Sequence, residues 1–265
     1  MTFRRIDGEG DPIVLVHGLG EDHTTWDLQR HALARRHRVV SYDVRGHGQT
    51  AVGAGDGSAR QLRDDLIELL DELALGPALL VGFSLGGVVV LSAAAERPDL
   101  ASGVVAIASS SVVGSRAADF YRERVRLFRQ ADPALIESEL REGIADGLHG
   151  KSHDAEAEGR LQAQLKAVGD GAGYCNAALA MAGLHEQPLT PELSRIERPV
   201  LLIGAEHDAF CPRKAQDIML AELRDAHYEE IAGAGHLVLL EEPDRVTDAI
   251  ERFAHRVRGA TVPDG

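Results

Sequence analysis

Cysteine is nearly missing from this chain of 265 residues. Cys175 and Cys211 stand far apart and outside any metal-ligand spacing, so no disulfide framework or metal site is expected and a reduced, cytoplasmic setting fits best. Long apolar runs are missing too. None approaches membrane-spanning length and Met1–Asp7 has no apolar signal region, so neither membrane insertion nor ordinary secretion is expected. Cations are scarce: 28 Lys and Arg face 42 Asp and Glu, a formal net charge of −14. That field repels phosphate backbones and anionic lipids, which argues against nucleic-acid and membrane-surface partners. An anionic small molecule needs a local Arg or Lys to bind against it. Nothing in the charge balance opposes a homo-oligomer.

What is present is 44% apolar residues, enough for one large core carrying an inserted subdomain. Short β-rich runs alternate with helical patterns, which predicts an α/β fold: a mostly parallel sheet of about seven strands flanked by helices. The strands are expected at Ile13–Val16, Val39–Tyr42, Ala78–Gly82, Gly103–Ala108, Pro199–Gly204 and Tyr228–Ile231, with Phe3–Ile6 as an antiparallel edge. Near-continuous apolar character suits strands buried on both faces. Ser58 and Gln61 are spaced as a capping box ahead of the stripe Leu62, Leu66, Leu69, Leu70 and Leu73. Pro98 ends the preceding helix. Pro243 opens a last one carrying Val246, Ala249, Ile250, Phe253 and Val257 on one face, and Gly259–Gly265 reads as a frayed tail. From Val113 to Arg198 the pattern is helical only, as in Leu135, Ile136, Leu140, Ile144 and Leu148. The expected organisation is a core of residues 1–112 and 199–265 with a helical lid over 113–198.

The chemistry centres on Gly82-Phe83-Ser84-Leu85-Gly86, between an apolar strand and a run of small residues. A strand, a turn too tight for large neighbours and a helix make a nucleophile elbow. Such a turn holds a serine Oγ proud of the sheet edge, at a helix N-terminus that favours developing negative charge. A bare G-x-S-x-G arises by chance in a chain with 28 glycines; strand and helix on the correct sides strengthen it.

A serine hydroxyl is a weak nucleophile and needs a base, an orienting acid and oxyanion donors. The base is expected to be His236, in the glycine-rich turn Gly233-Ala234-Gly235-His236-Leu237 after the last strand. The acid is expected to be Asp208, with Glu206 as competitor and His207 as bystander. Backbone N–H groups of Leu85 and of Leu19, in His17-Gly18-Leu19-Gly20, would hold the oxyanion. His17 itself reads as structural.

Five motifs together resemble the α/β-hydrolase fold family: His17–Gly20, Asp43-Val44-Arg45-Gly46-His47-Gly48, Gly82–Gly87, Gly204–Asp208 and Gly233–His236, in the chain order Ser, Asp, His. Among its subfamilies the chain is most similar to 3-oxoadipate enol-lactonases and related ester and lactone hydrolases, on Gly173-Tyr174-Cys175-Asn176-Ala177 ahead of Pro199-Val200-Leu201. The resemblance implies an acyl-enzyme mechanism at Ser84, His236 and Asp208, with no metal or organic cofactor and a small-molecule ester or lactone as substrate. Only 12 residues precede Ile13, so the family's usual first strand is expected to be absent. Enol-lactonase substrates are dicarboxylates; Arg122, Arg124, Arg126, Arg129 and Arg141 are anchor candidates, although helical surface arginines are commonly just solvated. Trp26, Phe83, Phe210 and Leu237 adjoin the loops as expected pocket walls, with Tyr121, Phe128, Met181 and Leu184 closing it from the lid.

Three other enzyme readings share this fold. Carbon–carbon bond hydrolases of ring-cleavage products commonly carry tryptophan after the histidine, where this chain has Leu237. Cofactor-free perhydrolases or haloperoxidases share the triad. Dehalogenases and epoxide hydrolases use an aspartate where Ser84 stands. A non-catalytic binding protein on this fold commonly lacks a triad member, and none is lacking here.

Overall fold

The computed structural model describes residues 2–150 and 154–260. Seven strands form one sheet: β1 Arg4–Asp7, β2 Pro12–Val16, β3 Arg38–Tyr42, β4 Ala78–Phe83, β5 Ala101–Ile107, β6 Val200–Ala205 and β7 Ala226–Ile231. Their spatial order is β1-β3-β2-β4-β5-β6-β7. Only β1 runs antiparallel, with Arg4 opposite Tyr42; the other pairs are parallel. The expected strands are present, with ends moved by one or two residues. The two-residue shifts are at the starts of β5 and β7; β7 is an edge strand whose exposed His227 and Glu230 hide it from an apolar pattern while blunting the edge.

Ten α-helices connect and cover the sheet among the described residues: α1 Asp27–Leu33, α2 Ala59–Leu73, α3 Leu85–Glu96, α4 Ser115–Phe128, α5 Pro133–Gly147, α6 Asp154–Val168, α7 Ala172–Gly183, α8 Arg213–Glu222, α9 Val238–Glu241 and α10 Pro243–Ala260. The tail expected over Gly259–Gly265 lies outside the described residues from 261 onward. Successive side chains of a strand point to opposite faces, and two cores result. Ile13 and Leu15 join one core with Phe253 and Val257 of α10; Val14 and Val16 join the other with Leu62 and Leu66 of α2. The stripe read from the sequence is buried as expected, except that Leu73 is only partly covered. Ser58 caps α2 by accepting from Gln61 N at 3.1 Å, but the reciprocal half of the capping box is missing. Gln61 Oε1 instead accepts from Asp56 N.

Between β5 and β6 the chain is helical, with no strand among the described residues. In this insert α4 packs on α7 and α5 on α6. The innermost helix, α7, is buried nearly all round, and Ala177, Ala180 and Met181 sit in the same core as α2 and α3. Small residues permit that approach: a Cβ on Gly173 would lie 1.7 Å from the Gly46 carbonyl oxygen.

Candidate active site

Ser84 directly follows β4 and caps α3 with φ 51° and ψ −115°, a positive-φ backbone that a β-carbon resists. Its neighbours have no room for side chains. A Cβ on Gly82 would meet Gly86 O at 2.1 Å, and one on Gly86 would meet Val16 O at 2.1 Å. The turn is pinned by Ser84 N donating to Ile107 O at 2.9 Å and by Ser109 Oγ donating to Ser84 O at 2.8 Å. The parallel order places the loops after β2, β4, β6 and β7 at one sheet edge, so distant residues converge.

His236 and Asp208 meet Ser84 there. Asp208 is buried, and its Oδ1 accepts from Phe210 N at 2.9 Å and Cys211 N at 2.8 Å. Its carboxylate faces His236 Nδ1, at 2.9 Å from Oδ2 and 3.0 Å from Oδ1. A carboxylate only accepts, so Nδ1 carries the proton and Nε2 offers a lone pair. Ser84 Oγ stands 3.1 Å from that Nε2, where its hydroxyl donates. The His236 ring lies between Phe83, at 5.3 Å, and Phe210, at 5.0 Å. The two acids of the loop after β6 thus take separate places: Glu206 accepts from Gly233 N at 2.9 Å, on the turn that presents His236. His207 stacks on His149 instead.

Leu19 and Leu85 flank Ser84. Leu85 is the first residue of α3, where N–H groups have no intrahelical acceptor. No described residue accepts from Leu19 N. Two buried histidines hold the Leu19 turn. Val44 N donates to His17 Nε2 at 2.9 Å, and His17 Nδ1–H donates to Gly18 O at 2.8 Å. Gly20 N donates to His47 Nε2 at 3.2 Å. Burial, with His47 nearby, pushes His17 down to about 3, and burial lowers His47 too. Both rings therefore stay neutral and act as struts. Asp43 braces the neighbouring loop, accepting from His23 N and Gln49 N at 2.8 Å.

A cavity of about 100 Å³ opens beside Ser84 and His236. Phe83, Phe210 and Leu237 line it, as does Tyr121 of α4. Trp26 does not; it is fully buried in the same core cluster as Ile13 and Leu33, where its large apolar ring leaves water. Phe128, Met181 and Leu184 also lie off the lining. Phe128 stacks on Tyr174 at 4.0 Å, while Met181 and Leu184 belong to the α2–α3 core. Of the five arginines only Arg124 reaches the cavity. It is buried, donates from Nη1 to Glu139 O at 2.8 Å and leaves Nε without an acceptor. Arg122, Arg126 and Arg141 are exposed in surface ion pairs, and Arg129 is exposed.

Several lining residues escape sequence reading. Leu140 and Ile144 show only as a helical stripe, Tyr174 only as part of the stretch behind the enol-lactonase resemblance, and Gln164 and Glu21 carry no motif at all. Cys211 also lines the cavity, its Sγ within 4.8 Å of the ligand atoms of Asp208 and His236. Burial raises its thiol well above the usual range, so it stays protonated. Among the described residues no helix is long and apolar enough to cross a membrane.

Comparison with known proteins bears on the fold and the family. An enol-lactonase from Burkholderia xenovorans superposes with a TM-score of 0.85 at 26% identity, over 96% of each chain. A malate-bound thermophilic esterase from Thermogutta terrifontis gives 0.83 at 28%, covering 97% of this chain and 93% of that one. An esterase of Escherichia coli is 28% identical over 91% of this chain and 92% of its own. The sequence profile described as the alpha/beta hydrolase family matches residues 13–249. With that match spanning nearly all of the sheet and its loops, the chain belongs to the alpha/beta hydrolase family and is a hydrolytic enzyme.

Proposed function

We propose that the enzyme is a serine hydrolase cleaving a small or medium-sized carboxylic ester or lactone through an acyl-enzyme. One observation carries this reading: Asp208, His236 and Ser84 form an unbroken hydrogen-bonded series whose hydroxyl end opens into the cavity. His236 Nε2 takes the Ser84 proton as Oγ attacks the substrate carbonyl. Leu19 and Leu85 N–H groups receive the oxyanion, and Asp208 stabilises the imidazolium. His236 then protonates the leaving oxygen. Water, activated by the same imidazole, attacks the acyl-serine, releases the acid and returns the proton to Ser84. The helical insert of residues 113–198 serves as the lid, with α4, α5, α6 and Tyr174 of α7 facing the cavity.

Arg124 already has the Glu139 carboxylate 3.8 Å from Nη1, but its buried Nε has no acceptor, and that donor in the cavity wall favours substrates with a carboxylate away from the scissile bond. The similar esterase that binds malate and the similar enol-lactonase are consistent with that class. Carbon–carbon cleavage is the second reading and is less favoured, since Leu237 follows His236 and buries an aliphatic side chain at the cavity wall.

A panel of p-nitrophenyl esters with simple lactones and an enol-lactone, alongside fluorophosphonate labelling, tests the proposal. Ester or lactone turnover with label on Ser84 is expected. An unlabelled serine, or cleavage of carbon–carbon substrates only, rejects it.

A further inference from the structure

A carboxylate in a cavity where an oxyanion forms works against the reaction unless it is neutralised. Glu21 is such a group. It lines the same cavity as Ser84 and Leu19, its side chain is 3% exposed, and its Oε2 accepts from Gly18 N at 3.2 Å. The clamp is therefore one peptide away from Leu19. Its other oxygen, Oε1, pairs with Arg160 of α6, whose side chain is 9% exposed. Glu21 is the one acceptor that guanidinium has among the described residues, and Arg160 Nε has none. Burial pulls Arg160 down to about 10, which leaves it charged at neutral pH. Where α6 ends, Ala167 O accepts from Gly48 N at 2.8 Å, so the helix is seated on the loop that also braces Gly20 through His47.

We propose that Arg160 is a positioning residue for the ester-cleaving site: by neutralising Glu21 it lets that carboxylate clamp the Gly18–Leu19 turn without opposing negative charge on the substrate oxygen. This rests on the hydrolase reading above. It makes the helical insert part of the oxyanion site, because the compensating charge comes from α6 and the clamp from the loop after β2. Without Arg160 a bare carboxylate would face the forming oxyanion across a poorly screened cavity.

The test compares wild type, Arg160→Met, Arg160→Lys and the double variant Arg160→Met/Glu21→Gln on a short p-nitrophenyl ester, with Tm measured for each. Arg160→Met should lower kcat roughly 10- to 100-fold, less than the roughly 100- to 1,000-fold of losing an oxyanion donor outright, with KM changed less than about threefold. Arg160→Lys should keep most of the rate. The double variant, lacking both charges but keeping an amide acceptor for Gly18 N, should recover to within about tenfold of wild type. A merely structural ion pair predicts the opposite, a double variant as slow as the single. That result overturns the proposal, as does an Arg160→Met with wild-type kcat. If Arg160→Met does not fold, a folded double variant within about tenfold of the wild-type rate supports the idea and one slowed further rejects it. Failure of the hydrolase reading looks different: Ser84→Ala would then keep the wild-type rate, and this proposal would fall with it.

Discussion

Gly86 lies against Val16 so closely that a β-carbon on the glycine would stand 2.1 Å from the Val16 carbonyl oxygen. The contact joins the helix after Ser84 to the strand that leads into the Leu19 turn, so a shift at Gly86 disturbs both sides of the proposed oxyanion site. Gly86→Ala is expected to cost about 2–3 kcal/mol through backbone displacement, a Tm loss of roughly 5–10 °C. Differential scanning fluorimetry with fluorophosphonate labelling checks it. A variant that is both stable and fully reactive would contradict the packing argument.

Ser84→Ala should reduce kcat by about four to six orders of magnitude while product binding persists. Calorimetric titration with product, run beside the ester assay, separates the two effects.

The two acids after β6 should part company. Asp208→Asn would present the wrong partner to His236 Nδ1, and a drop of about 10⁴ in kcat is expected. Glu206→Gln keeps an acceptor for Gly233 N and should stay within roughly fivefold. Equal losses in the two variants would sink the assignment of Asp208.

Arg124→Met should lower kcat/KM for a p-nitrophenyl monoester of a dicarboxylic acid by roughly 10- to 100-fold, the worth of one charged hydrogen bond. The neutral ester of matching length should change less than about threefold. Parallel losses on both esters would mean that Arg124 only supports the wall.

Stability should weaken in acid because of His17. Its folded pKa, about 3, lies below the unfolded value near 6.5, so the unfolded chain binds the extra proton between those limits. The stabilisation from keeping the ring neutral is complete above pH 6.5 and is lost as pH falls toward 3, at about 1.4 kcal/mol per pH unit. Urea melts at pH 7, 6 and 5 should show a shallower decline in His17→Gln than in wild type.

Legibility in the sequence followed how local each cause was. β2, β4 and β6 stand out because strands buried on both faces must be apolar throughout, whereas edge strand β7 mixes exposed polar residues into its run. The Ser84 turn stands out because its steric demands fall on adjacent residues. Trp26 was expected at the pocket from its closeness to the Gly18–Gly20 turn, but neighbourhood in sequence does not give a side chain's direction. Met181 and Leu184 lie off the cavity for the same reason, since the C-terminal part of the insert sinks into the α2–α3 core there, while Tyr174 near the start of α7 reaches the cavity wall.

By itself the sequence determined the alternation of strands and helices, the strained serine turn and the order of candidate residues along the chain. Each rests on short-range sterics or on periodic burial within one element. Only the tertiary structure decided that Asp208 rather than Glu206 faces His236, that Arg124 alone of five arginines reaches the cavity, and that Glu21 meets Arg160 there. Those choices turn on ångström distances between loops and helices far apart in the chain, and the packing of the sheet and insert sets those distances.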